Sequence, residues 1–250
     1  MNTIQKNKKG KIFVLWFQGE KNAPLLVKSC INSIRRNSNG HQVIVLDNDN
    51  LTNWIAPLPT LVEKKFKEKI FPVQLKADYI RLALLENYGG LWLDSTIYVD
   101  QKIPEDAFTR DFFTVIRKEA YSSDITGKIS TFVMGSNHSL KSQKVFSFMR
   151  DMLLNYLQNE SNLINYLLIE NIFDICMQKN EWLADLIQNQ QLHKNDILGL
   201  SKLLNESYYD VRVKKILNKN IFNKLNYHQI YKLKVNDNTT VYGHLVKDLL

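Results

Sequence analysis

The 250-residue sequence predicts an α/β fold in a single domain, because three features follow one another along the chain. Residues 12–46 predict a β-α-β unit, and residues 75–99 predict a helix, a Gly-Gly turn and a strand. From Lys141 onward the apolar residues recur at helical spacing. Because no long Gly-, Ser- or Pro-rich linker divides the chain, we expect one sheet flanked by helices and a helical C-terminal part.

The first unit places a binding edge near the N-terminus. Residues 12–17 (IFVLWF) predict a buried strand that ends at Gln18, residue 24 opens a helix to about residue 37, and Gln42–Leu46 (QVIVL) predicts a second strand. Such units favour parallel strands with ligands at their carboxyl ends. We therefore expect Gln18 and residues 47–50 to lie at a binding edge.

The central stretch places charges where a core is expected. Residues 75–88 predict a helix that ends at Gly89, and Asp78 and Arg81 fall inside its apolar arc. Residues 91–99 predict one buried strand interrupted by Asp94, whose carboxylate is costly to bury without a partner. Helix, turn and strand would bring these three side chains to one end of the sheet, where α/β proteins bind ligands.

Two interpretations of these charges remain open on the residues alone. An aspartate and an arginine three positions apart on a helix can form a structural ion pair. Alternatively, a divalent metal that carries a phosphate is a suitable partner for Asp94. The net charge of +8 indicates an anionic partner such as a nucleotide diphosphate, an acidic lipid surface or a nucleic acid, but does not choose among them.

Residues 77–81 (ADYIR) and 88–94 (YGGLWLD) resemble the SDxxR…YGGxYxDxD block of DXD-type sugar transferases with a GT-A fold, particularly the capsular polysaccharide synthesis proteins. The resemblance implies a GT-A-like α/β fold, with a Rossmann-like mixed sheet flanked by helices. It also implies a retaining glycosyltransferase that moves a sugar from a nucleotide-sugar donor to a glycan or lipid-linked acceptor in capsular or other cell-surface polysaccharide biosynthesis.

The resemblance also assigns roles in the central block. In that block the helix Asp and Arg hold the donor sugar, and the strand Asp residues hold Mn²⁺ or Mg²⁺ and the diphosphate. Asp78, Arg81 and Asp94 are therefore the predicted catalytic residues, and Mn²⁺ or Mg²⁺ is the predicted cofactor. Thr96 stands where the wider superfamily has its second metal-binding Asp, although the capsular branch is similar to this chain at that position.

Further site residues are implied at both ends of the chain. Trp16, Phe17 and Gln18 would border the nucleotide base, with an ordinary core position as the alternative for Trp16. Asn165 stands where the family carries an acidic residue, and its amide can bond a sugar hydroxyl or a phosphate but cannot act as a base.

Residues 226–234 resemble the closing segment of the family. In GT-A enzymes a polar residue near the C-terminus, often His, completes the metal shell, and a lysine can neutralise the leaving diphosphate. His228 is the candidate metal ligand, although Tyr231 stands at the family's His position. Lys232 is the candidate cation.

The remaining predictions concern location. The sequence has no apolar stretch of roughly 20 residues, and residues 1–10 are expected to form a flexible tail. Cys30 and Cys176 lack metal-ligand spacing and predict reduced core residues, so we expect a cytoplasmic protein. The lysine-rich helix over residues 61–69 predicts either a solvated face or peripheral contact with the anionic inner face of the membrane.

Two rival functions follow from particular features. Thr96 and Asn165 are compatible with a catalytically inactive relative that binds nucleotide sugars. The positive charge favours a nucleic-acid-binding protein, but the aromatic residues are scattered through core-like runs and no basic-aromatic module occurs. No nucleic-acid partner is therefore expected.

Overall fold

The computed structural model describes residues 9–116, 129–165, 167–189 and 196–250. The β-strands in this part of the chain are β1 (Lys11–Leu15), β2 (Gln42–Leu46), β3 (Gly90–Leu93), β4 (Ile97–Val99), β5 (Phe113–Ile116), β6 (Ile129–Ser136), β7 (Phe222–Lys224), β8 (Lys234–Val235) and β9 (Asn238–Thr239). The α-helices are α1 (Leu25–Arg36), α2 (Thr60–Lys67), α3 (Val73–Tyr88), α4 (Asp106–Thr109), α5 (Leu140–Asn159), α6 (Leu168–Gln178), α7 (Glu181–Asn189), α8 (Val211–Lys219) and α9 (Val241–Val246).

Among the described residues, the main sheet has five strands in the order β2-β1-β3-β6-β5. β1 pairs in parallel with β2 and β3, whereas β6 runs antiparallel to both β3 and β5. The three parallel strands therefore end at one edge, at Leu15, Leu46 and Leu93. The predicted mixed sheet with flanking helices is confirmed.

Side chains that alternate along the strands divide the core between the two faces of the sheet. Phe13 of β1 and Trp92 of β3 belong to the cluster formed with α3, α5 and α6, and both are buried. Ile12 and Leu91 point to the opposite face and belong to the cluster formed with α1. Because successive strand residues face opposite sides, each strand of this sheet contributes to both clusters.

The prediction of one strand over residues 91–99 is wrong. β3 ends at Leu93, and Asp94 O accepts a hydrogen bond from Ile97 N at 2.9 Å in a turn. β4 then joins β7 in a separate two-stranded antiparallel sheet and packs against α1. Because β3 and β4 are both buried, apolar residues stand on both sides of the turn, and the sequence pattern does not reveal where β3 ends. Asp94 consequently follows the carboxyl end of β3 instead of lying within a strand.

Most other predicted elements are confirmed, with shifted ends. The first strand ends two residues early, so Trp16 and Phe17 lie in the turn in which Gly19 N donates to Trp16 O at 2.9 Å. The helix predicted over residues 75–88 begins two residues earlier, at Val73. Residues 1–8, which belong to the predicted flexible tail, lie outside the described residues. None of the helices in the described ranges is long and apolar enough to cross a membrane.

Candidate functional site

A cavity of about 830 Å³ lies at the edge where the parallel strands end. The segment after β1 contributes Trp16, Phe17 and Gln18 to its wall. The turn after β3 contributes Asp94 and Thr96, and further lining residues that the sequence singled out are Asp78, Arg81 and His228. The fold therefore gathers most of the predicted site residues around one cavity, at the edge where α/β sheets bind ligands.

The inward face of α3 carries an ion pair that extends to β3. Arg81 is 4% exposed, and its Nη1 donates to Asp78 Oδ1 at 2.8 Å while its Nη2 donates to Asp94 Oδ1 at 3.1 Å. The guanidinium carbon lies 5.2 Å from the centre of the Trp92 ring, within the range of a cation–π contact. The helix and the end of β3 are thus joined by charge as well as by apolar packing.

Asp94 accepts hydrogen bonds from three side chains. Besides Arg81, Trp92 Nε1 donates to Oδ1 at 2.9 Å, and Lys224 Nζ donates to Oδ2 at 2.6 Å. Lys224 is 130 residues away in sequence, and reasoning from the sequence missed it. Lys224 is the last residue of β7. It reaches the site because β7 pairs with β4, the strand that follows the Asp94 turn. Nothing in its local sequence distinguishes it from the other lysines.

The two carboxylates differ in their acidity. Burial by itself raises the pKa of Asp94, but the charges of Lys224 and Arg81, with hydrogen bonds from Lys224 and Trp92, together hold that pKa well below its usual range. For Asp78, burial prevails over the attraction of Arg81 and raises its pKa to about 6. Asp94 is therefore ionised throughout the neutral pH range, whereas the carboxyl group of Asp78 loses its proton near pH 6.

The donors around Asp94 do not fit a divalent metal in this arrangement. Mg²⁺ and Mn²⁺ select sites rich in anionic oxygen, yet both oxygens of Asp94 already face cationic donors. Within the part of the chain that the structure describes, no group of three or more His, Cys, Asp or Glu side chains is placed to hold a metal. The metal site predicted from Asp94, Thr96 and His228 stays a prediction.

The residues predicted to border the base lie where a second aromatic segment meets β1. The Trp16 and Tyr227 rings are in edge contact, with centroids 5.3 Å apart, and the Tyr227 ring also lies 3.9 Å from the His228 ring. Trp16 also packs against the cluster on the α1 face of the sheet. It therefore combines both predicted positions, since it is partly in the core and partly in the cavity wall.

Two predicted site residues do not line the cavity. Asn165 is exposed, and its Oδ1 accepts from Leu167 N at 2.9 Å. Lys232 is exposed, and its main-chain nitrogen donates to Asn205 Oδ1 at 2.9 Å. A residue that the sequence reasoning missed, Glu170 in the first turn of α6, lines the cavity and is 8% exposed.

The chain matches a known protein family over most of its length. Residues 1–245 match the family described as "Capsular polysaccharide synthesis protein". No curated protein matches the sequence significantly.

Several solved structures of glycosyltransferases are similar to the chain. The PaToxG glycosyltransferase is 16% identical with a TM-score of 0.46, and the similarity covers 74% of both chains. A glycosyltransferase involved in the glycosylation of the major capsid of PBCV-1 is 13% identical, with a TM-score of 0.47 over 97% of this chain and 98% of the other. The apo form of the glycosyltransferase GlyE of Streptococcus pneumoniae TIGR4 is 10% identical, with a TM-score of 0.46 over 96% of this chain but only 60% of the other.

Proposed function

Because the chain belongs to the capsular polysaccharide synthesis protein family, as its sequence predicted, we propose that it is a glycosyltransferase acting on a nucleotide-sugar donor. The acceptor is a glycan or a lipid-linked molecule in the biosynthesis of a capsular or other cell-surface polysaccharide. The observation that carries the proposal is the cluster of Asp78, Arg81, Asp94 and Lys224, which lines a cavity at the carboxyl edge of the parallel strands.

In the proposed reaction, negative charge develops on the leaving diphosphate, close to the cations of this cluster. The bond between the anomeric carbon and the terminal phosphate oxygen breaks, and the nucleoside diphosphate leaves with the electron pair. The acceptor oxygen forms the new glycosidic bond and loses its proton to solvent. Arg81 and Lys224 would stabilise the negative charge that develops on the diphosphate, because cations held in place before the reaction need no reorganisation during it. Retention of configuration stays a prediction.

The two aspartates have a positioning role in this proposal. Arg81 is held between Asp78 and Asp94, and Lys224 is held by the second oxygen of Asp94. In addition, Arg81 Nε and Trp16 Nε1 are buried donors without a hydrogen-bond partner among the described residues. Orphaned buried donors are uncommon in folded proteins, and an oxygen-rich ligand in the cavity would offer them acceptors.

Peripheral contact with an anionic membrane is part of the proposal. Lys64, Lys67 and Lys69 of the lysine-rich segment are exposed, whereas Lys65 is buried and cannot take part. Each exposed lysine near an anionic leaflet adds roughly 1 kcal/mol of attraction. Flotation with acidic liposomes at low salt should carry the protein, and Lys64→Glu with Lys67→Glu should reduce that fraction. Flotation that the double variant leaves unchanged would refute this contact surface.

Ligand-induced stabilisation tests the enzyme proposal. Nucleoside diphosphates and nucleotide sugars with different bases would be screened by thermal unfolding, and a ligand at a hundred times its Kd should add about 2.7 kcal/mol. Slow hydrolysis of the stabilising donor would then separate an enzyme from an inactive relative that only binds. Retention on DNA with no response to any nucleotide sugar would instead support the nucleic-acid alternative.

A further inference from the structure

The ammonium group of Lys224 is positioned by the fold. Lys224 pairs with Ile97 across the β4–β7 sheet, and its main-chain nitrogen donates to Ile197 O at 2.8 Å. The next residue, Leu225, donates to Thr96 O at 2.9 Å, so two successive residues that follow Asp94 in the turn are tied to this segment. The Lys224 side chain is only 25% exposed, and its Nζ lies 5.1 Å from the centre of the Phe132 ring. It is therefore not a freely moving surface lysine.

The side chains that surround Asp94 already supply two positive charges. A clamp made of two carboxylates attracts a divalent ion because it is anionic. Here a single carboxylate, Asp94, faces Arg81 and Lys224, and buried Thr96 stands in place of a second acid. Asp78 bonds Arg81 from the opposite side. A divalent ion beside Asp94 would therefore meet two positive charges at short range, which repel it.

We infer that Lys224, together with Arg81, takes the place of the divalent cation in this cavity and binds the donor diphosphate without a metal. The inference rests on the proposed function, since it concerns how the same donor is held. An ammonium group is a compact point charge that binds phosphate, and a guanidinium adds paired donors to phosphate oxygens. The buried Nε of Arg81, which has no partner among the described residues, is one further donor beside them.

Calorimetric titration of the full chain with nucleoside diphosphates tests this inference. Each titration would be run in excess EDTA and again with saturating MnCl₂. We expect the same affinity in both conditions, and Lys224→Met should weaken binding by at least roughly tenfold. Lys224→Arg, which keeps the charge, should retain most of the binding. Lys234→Met, which removes an exposed lysine from the same C-terminal region, is the matched control and should bind as the wild type does.

Binding that requires Mn²⁺ and is indifferent to the Lys224 variants would overturn the inference and leave the proposed function standing. No binding of any nucleoside diphosphate in either condition would overturn both.

Manganese alone provides a second readout that does not depend on the nucleotide. The EPR spectrum of free Mn²⁺ should be unchanged by the wild-type protein, because Lys224 and Arg81 repel the ion. Lys224→Asp places a second carboxylate beside Asp94 and should diminish the free-ion signal. Strong binding of Mn²⁺ by the wild type that Asp94→Asn abolishes would contradict the inference, even if the Lys224 variants did not fold.

Discussion

Two lysines with little exposure to solvent, Lys65 and Lys224, have opposite surroundings in the described part of the molecule. Lys65 on α2 is 8% exposed, and its Nζ donates to three main-chain carbonyls at the end of α5, those of Leu157, Gln158 and Glu160, at 2.9, 2.7 and 2.6 Å. Lys224 Nζ instead donates to the carboxylate of Asp94 in the wall of the cavity. Both lysines have hydrogen-bond partners. Of the two, Lys224 is the one that lines the cavity, where an anionic ligand could bind its ammonium group.

Lys65 has a structural role, whereas Lys224 is placed for a functional one. The final carbonyls of a helix have no partners within it and carry the negative end of its dipole, so Lys65 caps α5. Around Asp94, by contrast, two cations share one carboxylate beside open space. A buried charge that is satisfied by neutral main-chain groups therefore indicates a cap, whereas cations that line a cavity and are held by carboxylates indicate a site for an anion.

Removing the charge of Asp94 is the change that should have the largest effect. Asp94→Asn leaves Arg81 and Lys224 without their shared anion, so the free energy of unfolding should fall by about 4 kcal/mol. Transfer activity should fall by at least roughly a hundredfold, because the cations lose their position. Denaturant unfolding and donor turnover on the same variant measure the two effects, with Asp49→Asn on an exposed loop as control. Full activity in Asp94→Asn would make this cluster structural, like the Lys65 cap.

The Lys65 cap should affect stability alone. Lys65→Met keeps the apolar part of the side chain but leaves three helix-end carbonyls without their donor, which should cost about 3 kcal/mol. Turnover of the folded variant should equal that of the wild type. Lys64→Met, one position away on the exposed face, should change stability by less than about 0.5 kcal/mol. A drop in turnover for Lys65→Met would break the distinction between the two lysines.

The effect of replacing Asp78 on stability should depend on pH. Its pKa rises from 3.8 in the free residue to about 6 in the fold, through burial that Arg81 only partly offsets and that Asp94 reinforces. The stability that this raised pKa contributes is fully present below about pH 4, and it is lost as the pH rises through about 6. Asp78→Asn has no such proton to lose, so its stability relative to wild type should increase by about 2 kcal/mol between pH 4 and pH 7.

Urea unfolding of both proteins at the two pH values measures that difference. Lys224 also acts on the pKa of Asp78, which it lowers, so Lys224→Met with and without Asp78→Asn serves as the control. A difference between Asp78→Asn and wild type that stays constant with pH would mean that the fold leaves the pKa of Asp78 at its value of 3.8 in the free residue.

A surface ion pair should have the smallest effect. Arg35 and Glu20 are joined at 2.6 Å, but their side chains are 43% and 30% exposed. Water screens such a pair, so Glu20→Gln should change the free energy of unfolding by less than about 0.5 kcal/mol and leave turnover unaltered. A larger loss, measured in the same denaturant series, would show that exposure is a poor guide to the role of charge in this protein.

Sequence patterns were enough to predict the family and the meeting of Asp78, Arg81 and Asp94. These residues lie within a stretch of chain in which a helix, a turn and a strand follow one another directly. Helical spacing placed Asp78 and Arg81 on the inner face, and the Gly-Gly turn returned the chain toward them. Contacts of this kind depend on short-range geometry, which periodicity and turn residues describe.

Which lysines complete the site and which stabilise the fold depends instead on long-range packing. Lys224 reaches Asp94 through the pairing of β7 with β4, and Lys65 reaches the end of α5 through the packing of α2. The end of β3 at Leu93 could not be predicted from the sequence either, because the apolar run continues into a strand of another sheet. A lysine looks the same in sequence wherever it lies, since its partners are set by strand pairing and helix packing between residues far apart in the chain.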